Sequence, residues 1–334
     1  MPRNKGFVLA SRPAPDAPAG PHNFRLVDII TGEPAAGQVL VRHHYLSLDP
    51  YMRGRMNEGK SYAAAQAIGE VMIGGTVGEV IASANTRFQP GDHVVGMGGW
   101  QLYALSDGRD LRKIADDTLP LQAWLGALGM PGVTAWIGLH RIVEPQPGQT
   151  IVVSAATGGV GAIVGQLVKA AGARAVGIAG GAAKCAYAVH ELGFDACIDH
   201  RAPDFGTQLA AALPSGVDGV FENTGGEPFL QTIRHLNAFA RIALCGLVAS
   251  GYAGAPSPLP DLRVLLNARA RIEGFIVSDH MSLWPQAIGE LSGLAREGKL
   301  RWRETVADGL EAAPTAFFSM LKGGNFGKQL VKLI

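Results

Sequence analysis

The stretch Ile151-Val152-Val153-Ser154-Ala155-Ala156-Thr157-Gly158-Gly159-Val160-Gly161-Ala162-Ile163-Val164-Gly165 constrains this chain most. An apolar run stops at small residues, meets closely spaced glycines, and continues into the helical pattern Gln166 to Ala171. That order reads as strand, tight turn, helix. Glycines in such a turn let the backbone approach a pyrophosphate, and the helix N-terminus offers N–H groups and partial positive charge. The spacing is not a strict G-x-G-x-x-G, so a ligand-free turn packing a helix on a sheet is the competing reading. Context favours the nucleotide. Further β-like runs at Ala175–Ala179, Gly219–Phe221 and Arg241–Cys245 alternate with helical segments, as in a parallel, doubly wound α/β sheet.

The end of the second of these strands chooses between dinucleotides. An NAD site carries an acidic residue roughly 20 positions past the first glycines, which holds the ribose diol. Here the chain reads Gly180-Gly181-Ala182-Ala183-Lys184, with a cation and no carboxylate. A 2′-phosphate is attracted by Lys and repelled by Asp or Glu, so NADP(H) is expected. A solvated lysine at a helix start is the plain alternative for Lys184.

Length and charge exclude other classes. The 334 residues suffice for two domains, and a net charge of +1 leaves no footprint for nucleic acid or an anionic membrane. No apolar run approaches a membrane span, and the start Met1-Pro2-Arg3-Asn4 lacks a signal core. Cys185, Cys197 and Cys245 are scattered, which suits a reducing cytoplasm. Residues 1–122 read mainly as short strands split by Pro and Gly, a small irregular barrel completed by 299–334. Residues 123–298 form the nucleotide domain, with helical spacing over 123–128 and 134–139. A closing helix spans 284–296, and the tail holds a helix at 313–322 and a strand at 328–333.

Several strings are more specific. Leu46-Ser47-Leu48-Asp49-Pro50-Tyr51-Met52-Arg53-Gly54, Phe221-Glu222-Asn223-Thr224-Gly225-Gly226, Glu273-Gly274-Phe275-Ile276-Val277 and Gly324-Asn325-Phe326-Gly327-Lys328 join the glycine turn in chain order. With them the chain resembles the zinc-independent medium-chain dehydrogenases/reductases, in the branch of prostaglandin, alkenal double-bond and curcumin reductases. The resemblance implies a GroES-like β-barrel catalytic domain beside a Rossmann domain. It also implies reduction, by NADPH, of the carbon–carbon double bond of α,β-unsaturated ketones and aldehydes. By position it puts the pyrophosphate on Gly158, Gly159, Val160 and Gly161, and the 2′-phosphate on Lys184. Asn223, Cys245, Gly246, Phe275, Val277 and Asn325 are implied to line the ribose and nicotinamide. His200 replaces a tyrosine that relatives often carry near the adenosine. The strand around 271–277 is implied to pair across a homodimer.

No metal is expected. The positions where zinc-containing relatives carry ligands fall in Ser47-Leu48-Asp49 and Gly74-Gly75-Thr76, and thiols for a structural site are too few. His43 and His44 are adjacent on a strand and face opposite ways.

Hydride addition to an enone places negative charge on the carbonyl oxygen. A donor aimed there stabilises the transition state, and a neutral phenol suits the task. Tyr51, Tyr62 and Tyr252 are the candidates. Tyr51 lies in the family string, Tyr62 in a loop able to cover a cleft, and Tyr252 beyond a strand's carboxyl end. Many relatives carry a further tyrosine at the position of Asn267, so Asn267 stands as a shorter substrate contact. Arg53 is a candidate for an anionic substrate tail or for a structural pair with Asp49. Met52, Met56, Met72 and Met97 fit an apolar pocket or simple core packing. Two rival functions remain, a quinone reductase and a non-catalytic NADPH-binding protein; alcohol dehydrogenation is disfavoured by the missing zinc ligands.

Overall fold

The structure, a computed structural model, describes residues 3–14, 17–249 and 261–334. Strands and helices follow in the order β1 (Asn4–Leu9), β2 (Phe24–Ile29), β3 (Val39–Ser47), α1 (Tyr51–Arg55), β4 (Thr76–Ser83), β5 (His93–Gly96), β6 (Tyr103–Ser106) and β7 (Arg112–Lys113). Next come α2 (Met130–Gly138), β8 (Thr150–Ser154), α3 (Gly161–Ala170), β9 (Arg174–Ala179), α4 (Ala182–His190), β10 (Ala196–Asp199), α5 (Phe205–Ala212), β11 (Val217–Glu222), α6 (Gly226–Thr232) and β12 (Leu236–Leu244). The chain ends with α7 (Leu262–Ala268), β13 (Arg271–Gly274), α8 (Trp284–Arg296), β14 (Glu304–Asp308), α9 (Ala313–Leu321) and β15 (Lys328–Lys332). They fall into two compact units.

One unit comprises 126–303 and 326–328. Its sheet runs β10-β9-β8-β11-β12-β13, and every neighbouring pair is parallel. Starting from β8, the chain winds outward to β10, then returns to β11 and winds the other way. That reversal is the doubly wound arrangement the alternating pattern implies. All five residues of β8 are buried, as expected of a central parallel strand covered on both faces. Phe221 and Val220, fully buried, continue the core into β11.

The other unit comprises 1–125, 304–325 and 329–334. β3 is its organising strand: it pairs antiparallel with β4, β6 and β15. The larger sheet runs β14-β15-β3-β4-β5-β7, so the chain's last strand lies beside one of its first. The core centres on Trp100, stacked on Phe24 at 4.9 Å and edge-on to Phe317 at 5.6 Å. Met52, Met56 and Met72 are wholly buried in this cluster, so they are core residues. Met97 is 45% exposed and does not join them.

The helical spacing over 123–128 resolves into a 3-10 helix over Leu121–Leu125. Gly126 and Gly129 then break it, and α2 begins at Met130. Among the described residues no helix is long and apolar enough to cross a membrane.

Candidate active site

The glycine turn after β8 is built by close backbone approach. Ala155 takes a left-handed conformation (φ 48°), and the N–H of Gly158 donates to its carbonyl at 2.8 Å. A Cβ on Gly161 would stand 2.3 Å from the Ala155 oxygen, so no side chain fits there. One turn on, a Cβ on Gly165 would lie 1.9 Å from Phe194 Cζ, which sets how closely α3 packs. No side chain caps α3, and the N–H groups of Ala162 and Ile163 donate to the Gly158 and Val160 carbonyls. The site thus combines bare backbone with a helix start that no side chain covers, as an anion seat needs. An isolated bridge from Gly158 to Gly327 lays the C-terminal segment beside the turn. The side chain of Lys328, 6% exposed, runs along Gly159.

The ends of β8, β11 and β12 are tied together through one buried residue, Glu222. Glu222 is 1% exposed, and its Oε1 accepts from Ser154 Oγ (2.7 Å), Thr224 N (2.6 Å), Gly225 N (2.7 Å) and Thr224 Oγ1 (3.0 Å). Burial pushes this carboxyl above its ordinary range, and the four donors oppose that rise. Asn223 is fixed from both ends: its N–H donates to Ser154 Oγ (2.7 Å) and its Nδ2 to the Ser154 carbonyl (2.8 Å). Cys245 and Gly246 both donate their N–H to the Glu222 carbonyl. A Cβ on Gly246 would press within 3.0 Å of the Asn223 oxygen. The Cys245 thiol is pushed up to about 12, first by burial and then by Glu222, so it stays neutral at pH 7 and is no nucleophile.

Asn223, Cys245 and Gly246 are therefore brought together. Ser154 and Glu222, which hold them, are supports of this candidate site that residue-by-residue reading passed over. The visible signal was a carboxylate ending an otherwise apolar strand. Phe275 is buried with its ring edge-on to Phe221 at 6.2 Å, so its ring serves the core. The Val277 carbonyl accepts from Trp284 Nε1 at 3.2 Å. Asn325 is half-buried two residues before Gly327.

At the carboxyl end of β9, where the adenosine is expected, the strand stops just before Gly180, and Gly181 adopts φ 100° before α4 begins. Lys184 sits in the first turn of α4, its pKa held below the usual lysine range, first by burial. His200 follows β10 and is likewise held low by burial, which keeps it neutral at pH 7.

The tyrosines behave differently from one another. Tyr51 opens α1; burial, then the neighbouring Asp49 carboxylate, raises its phenol well above the ordinary range. Tyr62 is 60% exposed in the following loop, close enough for its charge to be felt at Tyr51. Tyr252 lies outside the described residues. Arg53 is 8% exposed and donates to Asn57 Oδ1 at 2.7 Å. Asn267 is exposed near the end of α7, and its carbonyl accepts from Arg269. His43 is buried with Nδ1 2.8 Å from the Gln101 carbonyl, while His44 is half-buried near Glu79. Among the described residues no three His, Cys, Asp or Glu side chains gather as a metal site.

Residues 5–114 match the family described as "N-terminal domain of oxidoreductase", and 159–293 match "Zinc-binding dehydrogenase". The NADPH-dependent curcumin reductase of Escherichia coli is 48% identical over 337 residues, covering 99% of this chain and 97% of that one. The chain belongs to the zinc-independent medium-chain dehydrogenase/reductase family, in its curcumin and alkenal reductase branch. The NADP-dependent 2-alkenal reductase of Nicotiana tabacum is 38% identical over 89% of this chain and 87% of its own. Among solved structures, CurA from Vibrio vulnificus in complex with NADPH superposes with a TM-score of 0.93 at 44% identity, covering 99% of each chain.

Proposed function

We propose that this NADPH-dependent reductase saturates the carbon–carbon double bond of α,β-unsaturated ketones and aldehydes, with hydride delivered to the β-carbon. The observation that carries the reading is the nucleotide cradle: bare backbone at Gly158–Gly161, and a lysine in the first turn of α4. It is supported by relatives named for reduction of curcumin and 2-alkenals.

The protein's own part is to hold the nucleotide and to stabilise charge. Gly158 and Gly159 bring bare backbone up to the pyrophosphate, Val160 and Gly161 offer it N–H groups, and Lys184 meets the 2′-phosphate. Asn223, Gly246 and the Cys245 backbone are held for the ribose and nicotinamide by Ser154 and Glu222. As hydride leaves charge on the substrate oxygen, a phenol O–H donates to it. Tyr62 is the phenol we assign, because an accessible hydroxyl is needed to reach a ligand. Tyr51, whose phenol is strongly held neutral, is its supporting neighbour. The α-carbon takes its proton from water. Arg53 is buried against Asn57, which favours a structural role over holding a substrate tail.

The test is NADPH oxidation with 3-nonen-2-one, run beside NADH and a quinone. A saturated ketone, with label from 4-deuterated NADPH on the β-carbon, is the expected product. Faster quinone turnover, or binding without turnover of any acceptor, would overturn it.

We also propose a cytoplasmic homodimer joined along β13. That strand is the sheet's edge, all four of its residues are exposed, and Phe239, Leu262 and Leu266 are exposed apolar residues of the same unit. Sedimentation as a single 34.9 kDa species would exclude the dimer.

A further inference from the structure

At the carboxyl end of β9, Gly180 forms the bare floor of a cationic recess. A Cβ built there would stand 3.0 Å from His200 Nε2, 3.1 Å from Arg201 Nε and 3.2 Å from Arg201 Cζ. Both side chains therefore fold back from the end of β10 over the glycine. Lys184, in the first turn of α4, is close enough for its charge to be felt at His200. The charges of Lys184 and Arg201 oppose each other, and both oppose protonation of His200. The nearby Asp199 carboxylate, whose Oδ1 accepts from the N–H groups of Gly181 (2.8 Å) and Arg201 (3.0 Å), offsets part of this through its attraction for Arg201 and His200. Asp199 fixes the turn, and the two cationic side chains stay close enough to repel. Such repulsion is relieved by an anion placed between them.

We propose that Arg201 is the second cation of the 2′-phosphate seat, closing on the phosphate opposite Lys184 and fixing the preference for NADPH over NADH. A guanidinium presents a planar fork that matches two phosphate oxygens, whereas Lys184 acts as a point charge. His200 Nε2 supplies a third polar contact. A ribose with a free 2′-hydroxyl leaves the repulsion between the two cations in place. Selectivity therefore arises from relief of that repulsion as well as from the hydrogen bonds the phosphate accepts. The absence of a side chain at Gly180 is part of the device: any Cβ there would occupy the space into which the imidazole and guanidinium fold. The inference rests on the assignment of NADPH as cofactor and adds to it a residue that sets selectivity.

The experiment is calorimetric titration of the full-length enzyme with 2′,5′-ADP and with 5′-AMP, which differ only in the 2′-phosphate. Variants are Arg201→Gln, Arg201→Lys and Lys184→Gln. Because Arg201 is exposed, Arg201→Gln is expected to weaken 2′,5′-ADP by about tenfold, with 5′-AMP unchanged and Arg201→Lys regaining part of the loss. Arg201→Gln binding 2′,5′-ADP as tightly as the parent would overturn the proposal. So would a parent that does not distinguish the two nucleotides. No acceptor is present, so the reaction is tested separately. Tight, Arg201-dependent 2′,5′-ADP binding in an enzyme inert toward enones removes the proposed reaction and leaves the seat standing. Enone turnover with an unaltered Arg201→Gln affinity does the reverse.

Discussion

The glycine turn at 155–161 and the tyrosine-bearing stretch at 51–62 are both candidate functional segments, and they are specified in opposite ways. In the turn, function belongs to the backbone, and side chains are excluded by steric contact: a Cβ on Gly161 meets the Ala155 oxygen at 2.3 Å. In the tyrosine stretch, function belongs to side chains, and the backbone is a short helix followed by an exposed loop. A backbone site advertises itself through glycines whose absence of Cβ has one geometrical meaning. A side-chain site advertises only residue types, and several tyrosines satisfy the same chemistry.

The largest expected effect tests the steric half of that contrast. Gly161→Val forces a side chain into the Ala155 carbonyl, and neither the carbonyl nor its neighbour Ala156 is a flexible group that can yield. Loss of more than about 4 kcal/mol of stability is expected, within the range reached by core overpacking at its worst. Thermal unfolding of the variant and its NADPH binding should both fail. A variant that folds normally and binds NADPH would show that the turn is looser than its contacts indicate.

The next effect is of acid on β3, the strand that leads into the tyrosine stretch. His43 has its pKa lowered from 6.5 to about 4, chiefly by burial. A group depressed in the folded state protonates first in the unfolded chain, so stability is full above 6.5 and is lost as pH falls towards 4. The loss corresponds to about 3 kcal/mol over that window. Denaturant titrations from pH 7 to pH 4 should show it in the parent, and His43→Gln should flatten the slope. A parallel slope in both proteins would assign the acid sensitivity elsewhere.

Tyr62→Phe tests the side-chain half. Removing one donor to a developing oxyanion should lower kcat by about 10- to 100-fold with little change in the KM for NADPH. Tyr51→Phe should cost less, since its hydroxyl is embedded beside Asp49. The reverse order would move the donor from the exposed phenol to the half-buried one.

This contrast also explains what was legible in the sequence. The parallel sheet was readable because β8, β9, β11 and β12 are apolar runs, and helices at 284–296 and 313–321 show clear spacing. β1, β2, β7, β10 and β14 were not individually readable, being short or mixed in polarity and defined by their pairing with another strand. Lys184 stood out because a carboxylate was missing where one is usual. Glu222 did not, because its meaning depends on Ser154, which is far away in sequence and 2.7 Å away in space. Arg201 was hidden for the same reason: only the fold of β9 against β10 brings it over Gly180.

The smallest effect returns to the turn itself and separates its glycines. A Cβ on Gly159 would stand 3.1 Å from Lys328 Cδ and 3.6 Å from Pro131 Cβ. The nearest atom belongs to a flexible side chain, and Gly159 has no positive φ that a larger residue would resist. Gly159→Ala should therefore cost under about 1 kcal/mol, because the lysine stem can shift by the few tenths of an ångström required. Its NADPH KM should rise only modestly, since the added methyl narrows the approach to the pyrophosphate without blocking it. If Gly159→Ala proves as damaging as Gly161→Val, steric exclusion by neighbouring backbone is not what distinguishes the two glycines, and contact with the bound nucleotide governs both.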